Sequence, residues 1–199
     1  ESYMALKLSG IPLRRPEMIR AREAIDGNGG IKATRVFTKI FLAMFGQISW
    51  DVCPSVPVEI ILLKNWFPIN IYEMSSWSRS TVVPLSIVIS HKPVCYPPEG
   101  RGVKELFTND DLELGFESDG LVFSSWRNFF IYLDKIIKFA GGFSWKPFRK
   151  TALKKAFQWV VNHQEEQGDF AGIQPAMLNS LLAYHYEGVS KDDPKWIKG

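Results

Sequence analysis

Hydrophobic residues recur three to four positions apart over much of the chain, and this period predicts α-helices. The clearest case is 34–45, where aliphatic and aromatic residues fall on one side of a helix that Gly46 ends. Pro84 lies inside another predicted helix and should kink it, because proline has no backbone N–H to donate. Further helices are predicted over 3–8, 17–25 after Pro16, 59–63 and 77–89.

Both ends of the chain carry the pattern Gly-aliphatic-x-x-x-x-Pro-x-x-Ile-basic, starting at Gly10 and at Gly188. Glycine ends helices and proline opens them, so one helix–loop–helix joint is predicted to recur. Recurring helix pairs are typical of stacked architectures, either a solenoid or a closed α/α barrel. The sequence therefore predicts an all-α fold.

The middle of the chain departs from this pattern. Residues 91–120 are rich in proline and glycine and predict an irregular loop insertion. Residues 121–139 predict a helix with apolar residues on more than one face and lysines toward its C-terminal end. No run reaches the roughly 18 apolar residues of a membrane-spanning helix. The helix is either buried between two partners or lies in a membrane interface.

Composition narrows the class of protein. The chain has 199 residues, of which 46% are hydrophobic and 14% aromatic, which suits a large core or an apolar ligand cavity. The 24 basic residues are offset by 21 acidic ones, and nothing in this balance calls for nucleic acid. Two cysteines, Cys53 and Cys95, form neither a metal cluster nor a disulfide framework, so a reducing compartment is expected.

Common catalytic patterns are missing from the sequence. The three histidines are scattered and lack ligand-spaced partners, so no metal site is predicted. Gly27 to Gly30 lacks the continuation of a phosphate-binding loop, and no serine stands in Gly-x-Ser-x-Gly. The acidic pairs Asp110-Asp111 and Asp192-Asp193 lie in polar stretches and are interpreted as solvated surface.

The stretch 155–170 carries the most specific pattern. Phe157, Val160 and Val161 predict one apolar helix face, Gln164 lies near the end of that helix, and Gly168 is expected to stop it. A glutamine here, covered by aromatic rings, is predicted to bond free backbone groups at a neighbouring helix end. The alternative is an ordinary amphipathic helix with a glycine stop.

The same stretch resembles the QW repeat of terpenoid cyclases that fold squalene or oxidosqualene. The block 70–83, with Met-Ser-Ser-Trp at its centre, is similar to squalene–hopene cyclases in particular, and 172–175 resembles the continuation of the repeat. The resemblance covers nearly the whole chain. Phe170 replaces the usual tryptophan of the repeat; the positions that carry the motif are Lys155, Ala156, Trp159, Val160, Gln164, Gly168 and Phe170.

This resemblance implies an α/α barrel (toroid) in which 1–199 is a single internal piece from the N-terminal half of a larger enzyme. The whole enzyme would cyclise squalene to hopene or hopanol through carbocations, with no cofactor and no metal. Its acid, an Asp-x-Asp-Asp motif, is absent from this sequence and is expected beyond Gly199, so this chain alone should be inactive.

The resemblance also assigns roles to individual residues. Gln174 is expected to hold a water that takes the final proton. Substrate-cavity residues are expected at Trp77, Phe37, Phe41, Ile173, Gln174 and Pro175, and channel residues at Met74 and Val82. With the resemblance, the favoured interpretation of 121–139 is a helix that inserts into one leaflet of the membrane. Its expected membrane-facing residues are Val122, Phe123, Trp126, Phe129 and Phe130.

The partners implied are squalene and a membrane surface, with no nucleic acid. The protein would be monotopic on the cytoplasmic side of a bacterial cell membrane, and a homodimer is compatible with the resemblance. Two alternatives remain at this stage. One is a helical-repeat module that binds a peptide or a lipid tail in an aromatic groove. The other is a prenyltransferase-like α/α barrel, which would need zinc ligands or aspartate-rich magnesium sites.

Overall fold

The structure is a computed structural model that describes residues 1–67, 70–107 and 147–199, together with positions 132, 134, 135 and 138. Over these ranges the chain is helical or irregular and contains no strand, so the prediction of an all-α fold is confirmed. The α-helices are α1 (Ser2–Leu8), α2 (Pro16–Gly27), α3 (Val36–Met44), α4 (Ser76–His91), α5 (Arg149–Asn162), α6 (Gln174–Tyr186) and α7 (Pro194–Lys198).

The described residues divide into two compact units. The first unit comprises 1–54 and 94–107 and contains α1, α2 and α3 with 3₁₀ turns at Trp50–Val52 and Lys104–Leu106. Its core is formed by apolar side chains from all of these helices and from the second turn, among them Met18, Leu42 and Val103.

A buried polar cluster fixes the second 3₁₀ turn of this unit to α1. Lys7 Nζ lies 2.7 and 2.9 Å from the two carboxylate oxygens of Glu105 and also donates to the carbonyl of Gly102. Tyr3 donates its hydroxyl to Glu105 over 2.7 Å. Burial alone would raise the pKa of Glu105, but the hydrogen bonds from Lys7 and Tyr3 outweigh it and hold that pKa below its usual value. Burial raises the pKa of Tyr3, and its bond to Glu105 adds to the shift.

The second unit comprises 55–67, 70–93 and 147–199. It contains α4 to α7 with 3₁₀ turns at Val58–Leu62 and Ile71–Glu73. Its core includes Ile71, Ile87 and Val160, and the largest side chain fully enclosed in it is Tyr184.

In this unit α4 and α6 run parallel. Near their starts the Asn179 amide approaches the Thr81 carbonyl at 3.5 Å, and at their ends His91 Nε2 lies 2.9 Å from Glu187 Oε1. The sequence separations at the two contacts are 98 and 96, so the register is kept along both helices. The start of α5 meets the end of α4, where Arg149 donates to the hydroxyl of Ser90 over 2.8 Å.

The helix–loop–helix joint predicted at both ends of the chain is confirmed. Gly10 and Gly188 adopt φ of 89° and 80°, which glycine reaches without strain. After each glycine the next N–H bonds back to the preceding helix, Ile11 to Leu6 over 3.1 Å and Val189 to Tyr184 over 2.9 Å. A proline then opens the next helix in both cases.

Several predicted boundaries shift. The helix predicted over 34–45 spans Val36–Met44, and that over 59–63 is a 3₁₀ turn at Val58–Leu62. α4 contains Pro84 as expected. α5 ends at Asn162, so Gly168 is not its stop. The predicted insertion is irregular from Pro93 to Val103; its part from 108 onward and most of 121–139 lie outside the described residues.

Candidate functional site

The side chain of Gln164 joins three elements of the second unit. It follows directly on the last turn of α5, and its Nε2 donates to the Gly168 carbonyl over 3.0 Å and to the Lys195 carbonyl over 2.8 Å. Its Oε1 accepts the hydroxyl of Tyr184 over 3.0 Å. The prediction that this glutamine bonds backbone groups of a neighbouring helix is thereby confirmed.

The Lys195 carbonyl that accepts from Gln164 lies in the first turn of α7, which comes close to the loop that holds Gly168. Gly168 allows the approach of the two segments: its φ is +100°, and an added Cβ would overlap the carbonyl of Lys198. The glycine of the repeat is thus required by the close contact with α7.

Aromatic rings enclose this bond network. Tyr184 is fully buried, and its ring lies 5.7 Å from Phe157, 6.0 Å from Phe170 and 6.4 Å from Trp196. Phe170 is itself buried and meets Tyr184 edge-on. Burial, with a contribution from the charge of Asp193, raises the pKa of Tyr184 to about 12.

The sequence analysis missed Tyr184 and Trp196. Tyr184 lies 20 residues after Gln164, in a helix with apolar residues on all sides. A buried tyrosine needs a hydrogen-bond partner for its hydroxyl, and this requirement could have pointed to a pairing with a polar residue such as Gln164. The remaining positions of the repeat fall as an amphipathic helix predicts: Ala156 and Val160 are buried and Lys155 is exposed. Trp159 stacks on the ring of His163 at 3.7 Å.

The register of α4 and α6 brings a second group of predicted residues to one end of the unit. Because the two helices are parallel, Trp77 in the first turn of α4 lies level with the start of α6, where Ile173, Gln174 and Pro175 stand. Trp77 is 62% exposed and Gln174 is exposed, while Ile173 and Pro175 are half-buried. The structure therefore brings these four predicted cavity residues to the same end of the second unit.

The other predicted positions are more dispersed. Met74 is half-buried immediately before α4, and Val82 is half-buried on α4 about 140° around the helix from Trp77. Phe37 and Phe41 belong to α3 in the first unit, where Phe37 is 41% exposed and Phe41 half-buried. The predicted membrane-facing residues Val122, Phe123, Trp126, Phe129 and Phe130 lie outside the described residues.

A polar contact missed by the sequence analysis holds α4 against α6. Pro84 is buried within α4 and has no N–H, which locally weakens the hydrogen bonding of the preceding turn. The buried side chain of Asn179 reaches across from α6 to the carbonyl of Thr81 in that turn, at 3.5 Å. The contact lies near the start of both helices and is consistent with the register that sets Trp77 level with Gln174.

The first turns of the two helices bring no carboxylate to the end formed by Trp77 and the start of α6, while the Asp169 carboxylate lies 3.8 Å from where a Cβ on Gly172 would stand. Arg79 lies about 160° around α4 from Trp77. An aromatic ring face with few nearby cations suits an apolar ligand and can stabilise a positive charge on it. The four predicted cavity residues at this end, Trp77, Ile173, Gln174 and Pro175, include no carboxylic acid.

In the described part of the chain, no group of three or more His, Cys, Asp or Glu side chains is arranged to hold a metal ion. Among the helices described, none combines the length and the hydropathy needed to cross a membrane.

The family profile of the squalene-hopene cyclase N-terminal domain matches residues 1–199. The chain is 38% identical over 199 residues to a squalene hopane cyclase of Aspergillus fumigatus, covering 97% of this chain and 27% of the relative. It is 37% identical over 201 residues to a squalene–hopene cyclase of Alicyclobacillus acidocaldarius, covering 100% of this chain and 31% of the relative.

A third relative is the enfumafungin synthase of Hormonema carpetanum, 37% identical over 201 residues, with 96% of this chain and 15% of the relative covered. The chain thus spans less than a third of the length of these three relatives. They come from both fungi and a bacterium.

Proposed function

The chain belongs to the squalene-hopene cyclase family as its N-terminal domain, and we propose that it is part of an enzyme that cyclises squalene to hopene or hopanol. The observation that carries this proposal is the bond network of Gln164 with Gly168, Lys195 and Tyr184, in a chain that the family profile matches throughout. The network ties successive helices together and so provides a rigid wall.

This piece supplies part of the wall of the reaction cavity. Trp77 offers an exposed indole face, and π faces stabilise nearby cations. Gln174 opens α6 at the same end of the second unit and holds the water that accepts the last proton or adds to the last cation. Ile173 and Pro175 complete this end. Phe37 and Phe41, on α3 of the first unit, keep the role of substrate-contacting residues that the resemblance implies.

The proton that starts the reaction comes from elsewhere in the protein. Asp-x-Asp-Asp does not occur in this sequence, and the relatives extend well beyond the length of this chain. We therefore assign the acid to a part of the enzyme that this chain does not contain, and this chain alone is inactive.

Squalene is a lipid, so the enzyme takes it from a membrane. Met74 and Val82 border the channel by which it enters, and Val122, Phe123, Trp126, Phe129 and Phe130 face the bilayer. The protein is monotopic on the cytoplasmic side of the cell membrane. A bacterial source and a homodimer belong to the same proposal.

The test uses the complete native protein and squalene, with products separated and identified. Wild-type protein is expected to form a pentacyclic product. Trp77→Ala should lower turnover at least tenfold, whereas Trp66→Ala, at a tryptophan that is 78% exposed, should leave turnover unchanged. Gln174→Ala should change the hopene-to-hopanol ratio. An intact protein that binds squalene without converting it would contradict the proposal and favour a lipid-binding module.

A further inference from the structure

The outward side of α5 carries a concentration of positive charge. Lys150, Lys154 and Lys155 are exposed and lie within an arc of about 140° around the helix. No carboxylate of the described residues forms an ion pair with any of the three. Arg149, by contrast, is partly buried and lies 2.9 Å from Glu59. These three lysines form what we call the α5 basic face.

This charge is not explained by the needs of the helix itself. The start of a helix carries a partial positive charge and is stabilised by acidic residues. α5 has no acidic residue in its first turn, and its sequence RKTALKKAFQWVVN contains none at all. Lys150 therefore stands where the helix dipole opposes it, and the chain as a whole has a net charge of only +3. A sequence that breaks a local rule without local compensation marks a functional surface.

An exposed aromatic residue adjoins the same face. Phe148 precedes α5 and is 66% exposed. By the helical period it projects about 20° from Lys155, at one edge of the α5 basic face. Aromatic side chains beside lysines are the combination that enters the headgroup region of a bilayer, the ring at the apolar boundary and the amines among the phosphates.

We propose that the α5 basic face docks on a membrane surface of anionic lipids, with Phe148 inserted at the interface. The inference deepens the proposed function and rests on it, since an enzyme that takes its substrate from a bilayer must be held at one. It assigns membrane contact to an element other than the predicted helix 121–139. The charge complementarity is with phosphate headgroups, whose surface potential attracts each nearby lysine.

The test measures binding of the complete native protein to vesicles of phosphatidylglycerol and phosphatidylcholine, and to vesicles of phosphatidylcholine alone. Lys150→Gln/Lys154→Gln is expected to weaken binding to the anionic vesicles about 25-fold, at about fivefold per lysine. Lys150→Arg/Lys154→Arg, which keeps the charges, should bind like the wild type. Phe148→Ser should weaken binding to both kinds of vesicle.

The matched control removes the same charge from another surface. Arg14 and Arg20 are exposed and form no ion pair with a described residue. Arg14→Gln/Arg20→Gln should leave binding unchanged. The proposal is overturned if Lys150→Gln/Lys154→Gln binds anionic vesicles like the wild type. It is also overturned if Arg14→Gln/Arg20→Gln weakens this binding as much as the lysine substitutions do. Squalene turnover in detergent solution is measured in parallel, and it tests the proposed function independently of any bilayer.

Discussion

The hydroxyl of Tyr184 donates to Oε1 of Gln164 over 3.0 Å, and this bond joins the C-terminal part of α6 to the turn that follows α5. The amide nitrogen of the same glutamine bonds two backbone carbonyls, one of them in α7. Both ends of the amide are thus used. The two carbonyls can only accept, so they fix which end of the amide faces them, and the Tyr184 hydroxyl, which can donate or accept, completes the bonds of the glutamine that links the helices.

Tyr184→Phe removes the donor to Gln164 and keeps the ring. The unfolding free energy should fall by about 1 kcal/mol, the usual net value of a neutral hydrogen bond. Denaturant unfolding followed by circular dichroism gives this value. Tyr72→Phe is the control, because Tyr72 is 39% exposed and its hydroxyl bonds no described residue. Equal losses in the two variants would show that the bond to Gln164 contributes nothing.

The alkaline limit of stability should depend on the same hydroxyl. The pKa of Tyr184 is raised to about 12, while an unfolded tyrosine titrates near its ordinary value of 10.0. Because the pKa of this hydroxyl is higher in the folded than in the unfolded protein, its protonated form stabilises the fold. This contribution is fully present below pH 10 and is lost between pH 10 and pH 12. The pKa of Tyr3 is also raised. The informative quantity is therefore the difference in unfolding free energy between the wild type and Tyr184→Phe. That difference should shrink over this window; a constant difference would contradict the assignment.

Gly168→Ala should be more damaging than an ordinary glycine substitution. The new Cβ would meet the carbonyl of Lys198 and would also force alanine into φ of +100°. We expect a loss of about 3 kcal/mol in unfolding free energy. Gly188→Ala is the matched control, because its φ of +80° lies closer to that of Gly168 and an added Cβ would meet nothing within 4 Å. That variant should lose about 1 kcal/mol. Equal losses would mean that the approach of α7 is not what requires Gly168.

The sequence predicted the features that depend on local chemistry. The joints at Gly10 and Gly188 could be read because a glycine end and a proline start act within a few residues. The bonding role of Gln164 could be read from its place at a helix end. Its partner in α7 is 31 residues away, and packing selects that partner.

Features set by tertiary packing were not accessible in the same way. The register between α4 and α6 could not be predicted, because it is set by contacts between residues that are 96 to 98 positions apart in the sequence. For the same reason Tyr184 was missed as the partner of Gln164. Gly168 was interpreted as a helix stop, whereas its backbone conformation is required by α7, which packs against it. The resemblance grouped Phe37 and Phe41 with Trp77 as cavity residues; the first two lie in the first unit and Trp77 in the second, and the grouping stays a prediction.

In the first unit, Glu105→Gln should destabilise the protein through Lys7. The side chain of Lys7 is 6% exposed and would lose the carboxylate of Glu105, which leaves its buried charge without a carboxylate among the described residues. We expect a loss of about 3 kcal/mol at pH 7. Because the pKa of Glu105 is held below its usual 4.5, this contribution is present above that pH and is lost as the pH falls below it.

The control for this pair is Glu23→Gln on α2, at an exposed carboxylate with no ion pair among the described residues. It should change the unfolding free energy by less than about 0.5 kcal/mol. Unfolding curves at pH 7 and at pH 3 test both expectations. A Glu105→Gln loss that is as large at pH 3 as at pH 7 would rule out the ionised pair as its cause.

Asn179→Ala tests whether the amide holds α4 against α6. The substitution removes the only described donor from α6 to the Thr81 carbonyl and leaves a buried gap, so the unfolding free energy should fall by about 2 kcal/mol. Ser180 is the matched neighbour: it is equally buried on the same helix, and its hydroxyl has no partner among the described residues. Ser180→Ala removes an unsatisfied polar group and should be neutral or slightly stabilising.

In the complete enzyme only Asn179→Ala should alter the product pattern, because it alone shifts Trp77 relative to Gln174. Loss of stability in both variants would indicate packing, and an unchanged product pattern in Asn179→Ala would separate this contact from the cavity.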